Sequence, residues 1–228
     1  MRILRALALT VFMLLLAGFA NAQERTSTPF SRITEQALHP NGEVFTFIVD
    51  GYHITEYWTS PNPGWSNWET HSSIHTITIK NAAGTTIQVI SGLDTERAWE
   101  LEFQDWNFDG YLDMSLQRWI GGTSGNVPSF FWLWDLAREQ FVLNDDLMSM
   151  NAPVVDAERR LVSDAFRGGG GFYSFSLHEY RDGRFQAIQT GVWELIRYPD
   201  DSGDVFQQTT VTDLVTGEVT VTRTPLRR

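Results

Sequence analysis

The chain has no cysteine. Disulfide staples, thiolate metal sites and lipid attachment through an N-terminal cysteine are excluded at once. Lysine is nearly absent too: Lys80 stands alone, and arginine carries the rest of the positive charge. With 17 basic against 28 acidic side chains, the formal net charge is -11. A surface of that sign repels phosphate backbones and anionic lipid, so neither nucleic acid nor a membrane surface is expected as partner. A basic protein surface is the better electrostatic match. Helical periodicity is also missing, since no long stretch repeats apolar residues every third or fourth position. The Gly-rich run Gly121–Asn126 has no G-K-[ST] ending and no helix pattern behind it, so it is not a P-loop. No G-x-S-x-G elbow occurs, and no convergent acid–base pair emerges, so the chain is not expected to be an enzyme.

A single long apolar run is present, Ala6 to Ala17, behind Arg2 and Arg5. It is short and terminal, and Ala20-Asn21-Ala22 follows with small-x-small spacing. That combination predicts a signal peptide over 1–22, removed before Gln23. The mature chain is then exported, to the periplasm in a Gram-negative cell, with no membrane association after cleavage. The segment 23–42 is polar, carries Pro29, Pro40 and Gly42, and is expected to be flexible. Residues 43–228 are expected to form a single all-β domain. They hold about a dozen short alternating runs separated by turn signals, which predicts an antiparallel, hairpin-built architecture or a small β-propeller. A domain of that length can bury a core without staples, and several of the nine Trp are expected to fill it. Among the hairpins, Asp50-Gly51 and Asn81–Gly84 are read as turns, and the last runs over 205–214 and 218–224.

The most informative stretch is Asp105-Trp106-Asn107-Phe108-Asp109-Gly110-Tyr111-Leu112-Asp113. Oxygen side chains fall at positions one, three, five and nine, with Gly at six. Calcium is a hard cation that takes 6–8 oxygens. Asp105, Asn107, Asp109 and Asp113, with the carbonyl of Tyr111, are the expected calcium ligands, and Gly110 permits the sharp turn. The loop is not an EF-hand. Leu116 stands where the bidentate Glu would be, and the flanks alternate with period two, so they are strands. It resembles the calcium loops of FG-GAP and VCBS propeller repeats.

Three further features invite a function. Trp65 and Trp68 sit in the Pro- and Gly-rich segment 60–70, read as a loop whose rings either fold back onto the core or offer aromatic contact to a glycan or partner. Gly168, Gly169, Gly170 and Gly171 run consecutively between Arg167 and Phe172-Tyr173. Such a run is either a plain hairpin turn or a place where something approaches the backbone closely. His71 and His75 have helical metal-pair spacing, but four strand residues span about 13 Å, so no zinc site is expected from them.

The run from about Trp99 to Ile196 resembles a small family of exported bacterial proteins. The matching pieces are the calcium loop Asn107–Asp113, the turn Gly122–Asn126, the strand Trp132–Asp135, the loop Gly169–Tyr173 and Asp182-Gly183. Gly stands in that loop where the family has Ser. Characterised relatives are periplasmic immunity proteins that inhibit peptidoglycan glycohydrolase toxins of type IV secretion systems, on a small propeller-like fold shared with lysozyme inhibitors. The resemblance implies a calcium-binding inhibitor of a peptidoglycan hydrolase, with Arg167, Gly168, Gly169, Gly170, Gly171 and Tyr173 as the partner-binding loop. In that role Tyr173 stacks in a sugar subsite and Arg167 pairs with a catalytic carboxylate. The competing reading is an exported glycan-binding module that uses its aromatic loops.

Overall fold

The computed structural model describes residues 25–59, 66–96, 98, 100–119, 126–169, 171–197 and 205–226. The segment 1–22 expected to be a signal peptide, Trp65, Gly170 and most of the Gly121–Asn126 turn lie outside them.

The fold is all-β, in three antiparallel sheets laid down in chain order. The first is β1 (Arg25–Ala37), β2 (Val44–Thr59), β3 (Ser66–Lys80) and β4 (Thr86–Ser91). The second is β5 (Leu101–Gln104), β6 (Asp113–Gln117), β7 (Ser129–Asp135) and β8 (Gln140–Leu143). The third runs β9 (Val154–Asp156), β10 (Leu161–Gly169), β11 (Phe172–Arg181), β12 (Arg184–Arg197), β13 (Val205–Asp213) and β14 (Val219–Pro225). Every strand pairs with its chain neighbour, with no crossover. Strand pairing closes no barrel among the described residues. One short helix, α1 (Asp145–Met148), separates the second and third sheets. It forms where Asn144 caps it, accepting the Leu147 amide at 2.9 Å, and Leu147 is buried beneath it.

Two apolar clusters place the second sheet in the middle. Phe47, Val49, Ile77 and Ile79 of the first sheet pack with Met114, Leu116, Trp132 and Trp134 of the second. On the opposite face, Phe131 and Leu133 pack with Leu147 of α1 and with Val162 and Phe185 of the third sheet. Strand residues alternate sides, so β7 sends Trp132 and Trp134 one way and Phe131 and Leu133 the other. A strand buried on both faces reads as a continuous apolar run, as Phe130–Trp134 does.

Three sequence expectations are corrected. Residues 25–37 form β1, paired along its whole length with β2, and are not a flexible lead-in. Its polar alternation gives a weak sequence signal because its first five residues are exposed and only the ladder orders them. Asp50-Gly51 is not a turn: β2 passes straight through it, with a register shift against β3. Gly51 is buried there, and a Cβ would collide with the Ser73 carbonyl and the Phe30 ring. Glycine inside a strand marks such a bulge or close approach. Finally, the loop expected over 60–70 gives way at Ser66 to β3, which sets Trp68 opposite Tyr57 in the ladder. The turns at Asn81–Gly84 and Gly217 stand as read. The Asn81 side chain accepts the Ala83 and Thr85 amides, and both glycines have φ of 78°.

Candidate functional site

The Asp105–Asp113 stretch connects β5 to β6 in the middle sheet. Its polar groups turn inward onto its own backbone. The Asp109 amide donates to Asp105 Oδ1 at 3.1 Å and Asn107 Oδ1 at 3.2 Å, so both oxygens converge on one atom. The Gly110 amide donates to Asp105 Oδ2 at 3.0 Å, and the Tyr111 amide to Asp109 Oδ1 at 2.9 Å. Asn107 Nδ2 donates to Asp109 Oδ2 at 2.9 Å. Gly110, with φ of 91°, makes the expected sharp turn, and Phe108, with φ of 63°, makes a second one that the sequence does not announce.

Asp113 differs from the other carboxylates. It is fully buried, and its two oxygens accept the Trp106 amide and the Trp134 amide, each at 2.8 Å. It therefore ties the start of the loop to β7. Burial pushes its carboxyl up to about 7; the two amide bonds pull down, and Asp109 and Asp105 push further up. The loop is also held from both neighbouring sheets. The Leu112 amide donates to the Leu38 carbonyl at 2.9 Å, and the His39 ring meets Tyr111 edge-on. From the third sheet, Arg160 Nη2 donates to the Phe108 carbonyl at 2.8 Å and its guanidinium lies 5.4 Å over the Phe108 ring. The Tyr180 hydroxyl is hydrogen-bonded to Asn107, and burial raises its phenol above the ordinary value.

The donor set suits a hard cation in chemical type: oxygen atoms, mostly anionic. Among the described residues no three His, Cys, Asp or Glu side chains gather into a metal-enclosing cluster. Asp105 and Asp109 face the loop amides, and Asp113 reaches the adjoining strand. Closing a shell on an ion requires those side chains to share their oxygens between amides and metal, which a carboxylate with four lone-pair sites can do.

Gly168, Gly169 and Gly171 lie at the end of the β10–β11 hairpin. Gly169 and Gly171 have φ of 78° and 84°, and Arg167 is registered opposite Tyr173. The two side chains meet: the Arg167 guanidinium lies 5.3 Å over the Tyr173 ring, and Tyr173 packs edge-on against Trp193 at 4.7 Å. A Cβ on Gly168 would collide with the Phe172 ring. Phe166, Phe172 and Tyr173 are each more than a third exposed. Behind the tip, the Asn126 side chain brackets the Arg167 backbone, donating to its carbonyl at 3.2 Å and accepting its amide at 3.1 Å. So Arg167, Gly168, Gly169, Gly171 and Tyr173 are brought together. Trp68 lies on another sheet.

The sequence reading missed Arg160, Tyr180 and Asn126, whose partners are 41 or more residues away in the chain. It also missed that His71 and His75 line one depression, since strand residues four apart share a face. Among the described residues one Ser–His–Asp grouping occurs: Ser176 Oγ lies 2.8 Å from His178 Nε2 and 3.3 Å from Asp164 Oδ2. The hydroxyl is in the middle, whereas a nucleophilic relay needs the imidazole there.

No family model matches the chain, and no curated protein matches it. Among solved structures it is similar to one described as the structure of a Xanthomonas type IV secretion system related protein. The identity is 16%, 86% of this chain and 99% of that chain are covered, and the TM-score is 0.42. A superposition that loose fixes neither topology nor activity.

Proposed function

We propose that this chain is an exported, calcium-stabilised protein that binds and inhibits a peptidoglycan glycan hydrolase in the periplasm. The observation that carries the reading is the β10–β11 hairpin end, where a cation stacked on an exposed aromatic ring rides on a glycine turn. A glycosidase cleft presents two carboxyl groups flanking the scissile bond. A thin glycine backbone fits such a cleft, Arg167 supplies a planar fork for a carboxylate, and Tyr173 supplies a stiff aromatic anchor. Packing against Trp193 lowers the ordering cost of that anchor. The motif resemblance to immunity proteins supports the same role.

In this reading calcium is held by Asp105, Asn107, Asp109, Asp113 and the Tyr111 carbonyl, and it is structural. When bound, it neutralises crowded carboxylates at the point where all three sheets meet. The sheets are read as blades of a small propeller-like arrangement.

The test is enzymatic. Purified mature protein is added with calcium to muralytic glycosidases acting on isolated peptidoglycan, and to periplasmic extract for capture. Stoichiometric inhibition of a captured glycosidase, lost with Arg167→Ala and Tyr173→Ala, is expected. Capture of peptidoglycan itself, with no glycosidase inhibited, would replace this role with that of a glycan-binding module.

A further inference from the structure

β14 is an edge strand of the third sheet, laddered to β13 on one side only. No residue of β13 or β14 belongs to either buried cluster, and every residue of β14 is exposed. Natural sheets guard such an edge with short strands, Lys, Pro, bulges or a covering element. The other edges among the described residues are guarded in these ways. β5, β8 and β9 are four, four and three residues long. β4 lies against β8, where the Gln88 side chain brackets the Phe141 backbone, donating to its carbonyl at 2.9 Å and accepting its amide at 2.8 Å. β1 carries Pro29 within its ladder. β14 has no Lys and no register shift against β13, and its Pro225 stands only at the last position.

The ladder fixes which backbone groups face outward. The Leu226 amide donates to the Val205 carbonyl at 3.0 Å, and the Asp213 amide to the Glu218 carbonyl at 2.9 Å. Bonded positions alternate along an antiparallel strand, so the even-numbered residues of β14 spend N–H and C=O on β13. Val219 and Val221 therefore direct theirs away from the sheet. Their side chains, 57% and 53% exposed, share one face, beside Thr212 and Thr210 of β13. On the same face Arg223 Nε donates to Gln208 Oε1 at 2.7 Å, which draws that charge back over β13.

We propose that β14 is the contact strand of a reversible homodimer, pairing antiparallel with β14 of a second copy about a two-fold axis at Thr220. A two-fold contact must be self-complementary, and this strand is. The register sets Val219 of each copy against Val221 of the other. Each valine amide then meets the other valine's carbonyl, and the β-branched side chains pair directly. Thr220 faces its own copy on the opposite side of the sheet, where two hydroxyls form a favourable cross-strand pair. Arg223 falls opposite Gly217, which brings no side chain and no charge. An axis at Val221 instead would set Val219 against Arg223 and keep one valine pair in place of two. A contact confined to one strand edge falls short of the roughly 1,200–2,000 Å² of a standard interface, and the net charge of -11 opposes association. The dimer therefore dissociates on dilution.

Sedimentation of the mature protein over a wide concentration range at physiological salt tests this, and a monomer–dimer equilibrium is expected. Val221→Pro removes an outward amide and spares the β13 ladder, the one kind of strand position that tolerates Pro. It should weaken dimerisation at least about tenfold, with little change in melting temperature. If that variant does not fold, Val221→Lys serves instead, because it charges the edge without touching the ladder. The register has its own readout. Opposed residues of a non-hydrogen-bonded pair have Cα atoms about 4.5 Å apart, within disulfide reach. The chain has no cysteine, so Thr220→Cys should yield a disulfide-linked dimer under mild oxidation, and Val215→Cys, in the exposed β13–β14 turn, should not. The proposal is overturned if the protein stays monomeric at every concentration, if the Val221 variant dimerises as well as the parent, or if Thr220→Cys crosslinks no more readily than Val215→Cys.

Discussion

The Asp105–Asp113 loop and the Arg167–Tyr173 hairpin end both turn on glycine with positive φ, and they spend their side chains in opposite ways. In the first, carboxylates and an amide fold inward onto the loop's own N–H groups, and neighbours from two other sheets clamp it. In the second, a guanidinium and aromatic rings stand outward, with Asn126 gripping only the backbone. The first arrangement satisfies itself and belongs to stability. The second leaves a guanidinium and aromatic surface facing solvent. Variants in the two places should therefore separate: loop changes should move unfolding, and hairpin changes should move affinity.

The largest expected effect is on the loop side. Asp113→Ala removes the acceptor of two buried amides, those of Trp106 and Trp134. Each stranded amide costs about 1–3 kcal/mol, so a loss of about 2–6 kcal/mol is expected in denaturant unfolding. Asp113→Asn retains one oxygen acceptor and should cost less. A loss below about 1 kcal/mol for the alanine variant would mean that Asp113 does not tie the loop to β7, and the contrast between the two regions would collapse.

Next in size is the ion. At calcium roughly 100-fold above its dissociation constant, linkage adds about 2.7 kcal/mol. In a chain of this length, each kcal/mol moves the melting temperature by about 2–4 °C. Thermal melts with calcium and with chelator should differ accordingly. Asp109→Ala should erase the difference; the chelated variant should also lose some stability, since Asp109 accepts the Tyr111 amide and Asn107 Nδ2, but less than Asp113→Ala because Asp109 is exposed. Identical melts in calcium and chelator would remove the metal from this loop.

These two predictions also mark what the sequence could tell. Ligand-type residues at positions one, three, five and nine around Gly110 are a local code, so the loop, its turn and its flanking strands are legible within nine residues. Its clamps are not, because Arg160 and Tyr180 reach it only after the third sheet has packed. The same limit explains β1 and Gly51. The ladder partner of β1 is supplied by β2, and Gly51 looks like half of a turn signal until Phe30 and β3 close over it. The sequence shows four glycines in a row, but only the fold shows Arg167 stacked on Tyr173.

On the hairpin side, Tyr173→Ala should weaken partner binding by about 2 kcal/mol, or about 30-fold, if the ring is a buried anchor at the interface. Its melting temperature should fall less than that of Asp113→Ala, since Tyr173 is already 36% exposed in the free protein. Measuring both quantities on both variants sharpens the comparison. Unchanged affinity with a large fall in melting temperature for Tyr173→Ala would make the hairpin end structural, like the loop.

The smallest effect is a pH-dependent one at a third place, the junction of α1 with β12. Asp146 accepts Arg184 Nε at 2.8 Å and Nη2 at 2.7 Å, and also the Phe185 amide at 3.1 Å. The Arg184 bond, against a smaller opposing push from burial, holds the Asp146 carboxyl below its ordinary value of 3.8. A depressed carboxyl favours the folded state wherever it is ionised. Its contribution is complete above that ordinary value and is lost as pH falls through the lower folded one. Arg184 is mostly exposed, so solvent screening keeps the gain small. Asp146→Asn should therefore be slightly less stable than the parent at pH 7, and the gap should narrow as the pH falls below that ordinary value. Unfolding curves across that range decide it: a gap that stays constant would assign the cost to lost hydrogen-bond geometry, not to the charge on Asp146.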